Sequence, residues 1–235
     1  MEYDEFYKFY DSVMGDQRKR AKFLIELIRE HNPSTKDILE LACGTGAIMK
    51  ILEKNYNVSG IDISKKMLSI AKKKLKSRRL YNQKMESFHV NSFFDTIICI
   101  YDSINHLKKI SDWDRTFKRV KKHLKQGGVF IFDMNTLRKL NDLSNKPTTV
   151  SYFEDNIMLL KVTKEKPSIF NWNLKIFEEY KKEKNRLHEE NIKETSFPIK
   201  KIKKILSNYF SNISIIDSKM RVASENSDRV YFICK

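Results

Sequence analysis

An apolar run, Ile38-Leu39-Glu40-Leu41-Ala42-Cys43, leads into Gly44-Thr45-Gly46, and a second run, Val58-Ser59-Gly60-Ile61, ends on Asp62 sixteen residues beyond the second glycine. No other stretch of the chain restricts its fold as much. It reads as strand, tight turn, helix and strand, with a carboxylate closing the second strand. A Cβ at Gly44 or Gly46 would collide with a close-lying ligand or force an unfavourable φ. Asp62 then stands where one carboxylate accepts both hydroxyls of a ribose. The expected ligand carries a nucleoside and sits at the end of a parallel sheet.

Glycine spacing separates the candidate cofactors. A dinucleotide site wants G-x-G-x-x-G, the third glycine letting a helix pack beneath a pyrophosphate. Met49 occupies that third position, and Glu40 stands ahead of the turn, where it repels a pyrophosphate and suits an ammonium. An NAD-dependent reductase is therefore a distant alternative. The string Glu40-Leu41-Ala42-Cys43-Gly44-Thr45-Gly46, followed by Gly60-Ile61-Asp62-Ile63-Ser64, resembles the first motif of the class I S-adenosylmethionine (SAM) methyltransferases.

At 235 residues and 40% hydrophobic content, the chain suits one α/β domain with an elaboration, or at most two small domains. No window approaches the ~18 consecutive apolar residues of a membrane span. Met1-Glu2-Tyr3-Asp4-Glu5 is acidic and aromatic, unlike a signal peptide. Cys43, Cys99 and Cys234 lie far apart and read as free thiols of a reducing compartment, so a cytoplasmic protein is expected. His31, His89, His123 and His188 have no metal-site spacing, and no metal is expected. The net charge of +16 invites a nucleic-acid reading. Yet the lysines interleave with apolar stripes: Met67, Ile70, Ala71 and Leu75 oppose Lys65, Lys66, Lys72, Lys73 and Lys76. Likewise Trp113, Phe117, Val120 and Leu124 oppose Lys118, Lys121, Lys122 and Lys125. Solvated helix faces account for most of the charge, and an RNA-facing surface keeps the remainder.

The aromatic and acidic residues 1–16 end at Gly15-Asp16, and Arg18 to Glu30 reads as a helix with Ala21, Leu24, Ile25 and Ile28 buried. Asn32-Pro33-Ser34 stops it. Strands follow at Asp37–Ala42, Asn57–Asp62, Leu80–Gln83, Asp95–Tyr101 and Val129–Asp133. The intervening helices run from the glycine turn to about Asn55, from a Ser64 cap to the basic run Lys76-Ser77-Arg78-Arg79, and from Asp112 to Leu124, ended by Gly127-Gly128. After Asn141 the pattern turns to strands joined by polar turns: Thr148–Phe153, Ile157–Thr163, Ile169–Glu178 and Arg186–Thr195, with turns at Glu154-Asp155-Asn156 and Lys181 to Asn185. A helix starting at Pro198, with Ile199, Ile202, Ile205, Leu206 and Tyr209 on its stripe, precedes strands Asn212–Asp217 and Arg229–Cys234.

This order resembles the seven-stranded, Rossmann-like methyltransferase fold, here with a small inserted antiparallel sheet. The resemblance implies a SAM-binding core at 1–147 with an N-terminal aromatic cap, a substrate-capping sheet at 148–196, and a segment at 197–235 completing the core. Phe94 to Leu107 and Gly127 to Thr136 are similar to the strand-four and strand-five segments of small-molecule methyltransferases, a group that includes amino-sugar and glycine N-methyltransferases. Tyr10-Asp11-Ser12-Val13-Met14, Glu189-Glu190 and Phe197-Pro198 also resemble that group. The resemblance implies SAM as cofactor, held by Tyr10, Glu40, Ala42, Gly44, Gly46, Asp62, Ile63, Met67, Lys84, Met85 and Tyr101. One departure stands out. Lys84 falls where the family has an acid that accepts from the adenine amino group, and lysine has no acceptor. Either the Met85 backbone and packing on Ile63 and Met67 hold adenine, or the register slips by two and Glu86 does.

Methyl transfer from a sulfonium needs little beyond positioning and exclusion of water, so no catalytic dyad is required. By resemblance Tyr10 lies over the methionyl end of the cofactor, and His106, after strand four, is positioned to accept a proton. Both are catalytic candidates. Asp102, Asn105, His106 and Asn135 are substrate-binding candidates. The expected function is methyl transfer to a small-molecule amine or hydroxyl, by a monomer or homodimer without membrane contact. A tRNA or rRNA methyltransferase is supported by charge but lacks the Asn/Asp-Pro-Pro-Tyr/Phe motif, since Ile100-Tyr101-Asp102-Ser103 occupies its place. A non-catalytic SAM-binding subunit is the third reading.

Overall fold

The structure, a computed structural model, describes residues 5–76, 79–181 and 184–235. A 3-10 turn at Phe6–Lys8 leads into helices α1 (Tyr10–Met14) and α2 (Arg18–His31). There follow β1 (Asp37–Leu41), α3 (Ala47–Leu52), β2 (Asn57–Asp62), α4 (Lys65–Lys74), β3 (Leu80–Asn82) and β4 (Phe94–Cys99). After a second 3-10 turn at Ser103–His106 come α5 (Ile110–His123), β5 (Leu124–Asn135) and α6 (Leu137–Ser144). The meander β6 (Thr149–Phe153), β7 (Asn156–Lys166), β8 (Ile169–Lys181) and β9 (Lys184–Thr195) precedes α7 (Ile199–Leu206), β10 (Ile213–Asp217) and β11 (Arg229–Cys234).

The first sheet has seven strands in the order β10-β11-β5-β4-β1-β2-β3. β1 pairs in parallel with both β2 and β4, and β11 runs antiparallel between β5 and β10. Alternation sends neighbouring side chains to opposite faces. In β4, Ile97 and Cys99 enter one apolar layer with Trp113 and Phe117 of α5, while Ile98 enters the other with Leu24 and Ile28 of α2. A strand covered on both faces reads as continuous hydrophobicity, which is why β4 was plain in the sequence. Chain order reverses between β1 and β4, and such a switch point opens a crevice at the carboxyl ends of the strands.

The helix ends follow local chemistry. Ser64 caps α4 by accepting from the Met67 amide at 3.2 Å. In α2 Leu27 is fully buried and Ile25 only half-buried, exchanging their expected places on the stripe. The expected glycine stop after α5 is corrected. The helix ends at His123, and Gly127-Gly128 lies inside β5. There the pairing jumps from Phe94↔Leu124 to Thr96↔Val129, and Gly127, at φ +74°, absorbs the surplus residues. Lys125 does not look outward with the other lysines of its run; its ammonium bridges Asp37 at 2.8 Å and Asp95 at 3.0 Å. Helix α6 was not anticipated, for its apolar residues are only Leu137, Leu140 and Leu143 among polar ones. Thr136 caps it, and Leu140 packs on Val162 and Phe170.

The second sheet, β6-β7-β8-β9, is antiparallel throughout. Its inner face buries Leu174, Ile176 and Ile192 against Phe6 and Phe9. The predicted turn at Lys181 to Asn185, the basic run after α4 and the first residues of the chain lie partly or wholly outside the described residues. Among the described residues no helix is long and apolar enough to cross a membrane. Lys65, Lys66, Lys72 and Lys73 of α4 and Lys118, Lys121 and Lys122 of α5 are exposed, opposite buried apolar stripes.

Candidate active site

At the end of β1 the chain turns through Ala42, Gly44 and Gly46, all at positive φ (53°, 54° and 73°). Glycine accepts such a backbone freely and alanine only under strain. The two glycines do different work. Gly44 faces the cavity beneath the Tyr10 ring, while a Cβ on Gly46 would meet Leu75 Cδ1 at 3.0 Å and Ala71 Cβ at 3.2 Å. Gly46 thus serves helix packing rather than ligand approach.

Asp62, ending β2, binds this turn from the side. Its Oδ2 accepts from the Gly44 amide at 2.8 Å and its Oδ1 from the Ser64 amide at 2.7 Å. Each oxygen keeps a further lone pair for a hydroxyl. Burial raises the Asp62 carboxyl above its ordinary value, against the lowering effect of the two amides and of His106. Glu40, on β1, is buried deeper. Among the described residues its Oε2 has no hydrogen-bond partner, and burial together with the Asp62 charge holds it well above the usual carboxylate range.

A cavity of about 510 Å³ opens here, within the size range of sites for small ligands. Tyr10, Ala42, Gly44, Asp62, Ile63, Met67, Lys84, Met85 and His106 all line it, which brings most of the sequence-predicted residues together. Ile63 is 49% exposed, an apolar side chain left open beside Met67 and Met85. Asn82 fixes the loop by donating to the carbonyls of Asp62 and Ile63, and Gln83 pairs with the backbone of His89 in both directions. Lys84, Met85 and Glu86 then all reach the cavity, so an acceptor is present two residues beyond Lys84. Glu40 and Tyr101 line a smaller adjoining chamber.

The remaining predicted residues lie elsewhere. After β4 the backbone passes through consecutive positive φ values at Tyr101 (63°) and Asp102 (51°), strain of the sort that clusters at functional sites. This turns Asp102 toward Arg229, whose Nη2 donates to its Oδ1 at 2.5 Å. Arg229 also binds Asp133 and the Asn135 side chain. Asn105, fully buried, donates to the carbonyls of Asn135 (3.1 Å) and Thr195 (2.9 Å) and accepts from the Asn135 amide (3.0 Å). Asn135 donates to Glu194, whose carboxyl burial raises well above normal, with the neighbouring Asp102 adding to the effect. Asp102, Asn105 and Asn135 therefore form a joint between the two sheets and do not line the cavity. Cavity residues that sequence reasoning missed include Lys108, Lys109 and Asp112. Their signal was simple adjacency to the segment ending at Leu107. Arg229, in the last strand, gave none.

The donor set fits SAM. Its ribose would meet Asp62, its adenine the apolar wall of Ile63, Met67 and Met85, and its cationic arm the carboxylate of Glu40 that lacks a partner. A sheet of this order, with an acid-ended β2 beside a G-x-G turn, is that of a class I SAM-dependent methyltransferase, and the chain is such an enzyme. Residues 38–128 match the family model described as a methyltransferase domain. The chain is 29% identical over 252 residues to the candidate methyltransferase YqeM of Bacillus subtilis, covering 99% of this chain and 96% of that protein. It is also 29% identical over 134 residues to the dTDP-3-amino-3,6-dideoxy-alpha-D-glucopyranose N,N-dimethyltransferase of Streptomyces fradiae, covering 55% of this chain and 52% of that one. The crystal structure of a SAM-dependent methyltransferase from Clostridium acetobutylicum superimposes with a TM-score of 0.87 at 29% identity, covering 99% of this chain and 98% of the other.

Proposed function

We propose that the enzyme N-methylates a small amine-bearing metabolite whose far end is anionic. The carrying observation is the charged lining left beyond the cofactor seat: Lys84, Lys108 and Lys109 are all exposed along the cavity, and Asp112 lines it with them. A phosphate ester suits the ammonium groups, and an amine suits the carboxylate of Asp112. The Streptomyces fradiae relative, named for an amino sugar carried on dTDP, fits the same description.

Bound SAM supplies an electrophilic methyl group on a sulfonium. The protein's part is to orient an unprotonated amine and keep water away. Tyr10 lies over Gly44 and caps the turn. Burial, reinforced by Asp102, Tyr101, Glu40 and Asp62, lifts its hydroxyl far above the ordinary phenol value. Tyr10 therefore stays a neutral phenol, a hydrogen-bonding and positioning group rather than a base. His106 lines the same cavity, and its imidazole takes up the proton that an ammonium acceptor must lose.

The test is a transfer assay with methyl-labelled SAM against nucleotide-linked amino sugars, free amines, hydroxyl analogues and tRNA. Label entering the anionic amines, with little in their hydroxyl counterparts, is the expected result. Label at a defined position in RNA would overturn the reading.

A further inference from the structure

Beside the main cavity, sharing Tyr10, Ala42 and Ser103 with it, lies a chamber of about 20 Å³. That is room for about one water-sized group. Three of its lining side chains hold a buried polar atom without a hydrogen-bond partner among the described residues: Gln17 Oε1, Glu40 Oε2 and the Tyr101 hydroxyl. Gln17 is only 7% exposed and Glu40 only 4%. Buried polar groups are normally satisfied, so a cluster of unsatisfied ones calls for a ligand.

The Gln17 amide is oriented, not adrift. Its Nε2 donates to the carbonyls of Met14 and Gly15, each at 2.8 Å, and this commits both of its hydrogens. The carbonyl oxygen is left as a pure acceptor on the far side of the amide. Across the chamber Glu40 contributes an acceptor of its own, charged once ionised. Two acceptors around so small a space specify a compact cation with several N–H donors. An ammonium has three, whereas a guanidinium is too large and a water leaves the carboxylate uncompensated.

We propose that Gln17 is a cofactor-binding residue, its Oε1 receiving the α-ammonium of SAM together with Glu40 Oε2. The methionyl arm then reaches from the ribose seat at Asp62, past Tyr10, to this chamber. Gln17 stands at the junction of α1 and α2, so the contact ties the segment carrying Tyr10 to the ligand.

Calorimetry with S-adenosylhomocysteine and its α-deaminated analogue tests the assignment, because a ratio of two ligands on one protein cancels any general loss of folding. Wild type should bind the amine-bearing ligand at least about tenfold more tightly. In Gln17→Met the gap should shrink severalfold, while 5′-methylthioadenosine, which has no amino-acid arm, binds both proteins alike. An unchanged gap in Gln17→Met would overturn the proposal. In labelled wild type, which needs no variant to fold, the Gln17 side-chain amide resonance should move with S-adenosylhomocysteine and not with the deaminated analogue. Equal responses to the two ligands would overturn it as well.

Discussion

The chain gathers buried acids in two places and treats them in opposite ways. Behind the cavity, Asp102 and Asp133 share the Arg229 guanidinium, and Asn135 links that set to Glu194. At the ends of β1 and β2, Asp62 has only backbone amides and Glu40 keeps an oxygen without a partner. Both clusters give up hydration. The first regains it from within the protein and forms a joint, while the second leaves part of the deficit to a ligand and forms a site. Residue type does not separate the two; the state of satisfaction does.

The strongest way to break this comparison is Arg229→Met. It leaves Asp133 buried and Asp102 half-buried without their cation, and unfolding in urea should show a loss of about 3–5 kcal/mol. A loss under about 1 kcal/mol would mean that the joint is not held by this arginine. Next comes Asp62→Ala, which should weaken SAM binding by about 2–4 kcal/mol, since two hydroxyls lose a charged acceptor. Unchanged affinity by calorimetry would move the ribose elsewhere. Tyr10→Phe should act on turnover rather than binding, lowering kcat about tenfold, or ~1.4 kcal/mol of barrier. A rise in the S-adenosylhomocysteine dissociation constant of the same size would make the hydroxyl a mere binding group.

The smallest effect is protonic. Burial raises the carboxyls of Glu40 and Asp62. A carboxyl whose pKa rises on folding contributes stability that is fully present below its unfolded pKa and is lost as pH climbs through the folded one. The ligand-free protein should therefore lose thermal stability as pH rises from the ordinary carboxylate range toward those raised values. S-adenosylhomocysteine should flatten that slope by favouring the ionised forms, and calorimetry in two buffers of different ionisation heat should register proton release of up to about one per site. Proton uptake on binding would contradict the assignment of Glu40 to a cation.

What the sequence disclosed was whatever is written locally. The glycine turn, the acid ending β2, the Ser64 cap and the double-faced strand β4 each depend on neighbours a few residues away, and each emerged close to where it was expected. The partners of Asp102 and Asn135 did not. Arg229 lies 127 residues from Asp102, and Glu194 lies 59 from Asn135, separations at which no spacing rule operates. Resemblance placed Asp102, Asn105 and Asn135 beside the acceptor because they follow the strands that border the cavity, yet their side chains turn to the rear. The inserted meander was recognised by its alternation. Its packing on the N-terminal aromatics agrees with the expected cap, yet among the described residues none from 148–196 lines the main cavity. Phe6 and Phe9 cover its inner face instead, and the meander acts on the site by holding the segment that carries Tyr10. His188 reinforces that hold, paired with Glu5 on one ring nitrogen and Glu178 on the other.

Asn105 has one more implication. Its amide grips the backbone of β5 through two hydrogen bonds and the backbone of β9 through a third, and His106 is the next residue in the chain. This side chain is thus one of the pins between the sheets, and it lies one peptide away from the imidazole. Sliding one sheet against the other must either rupture that pin or carry the imidazole along. Where His106 stands is consequently a matter of alignment between two layers, set by the last residue of the meander as well as by the strand that precedes it.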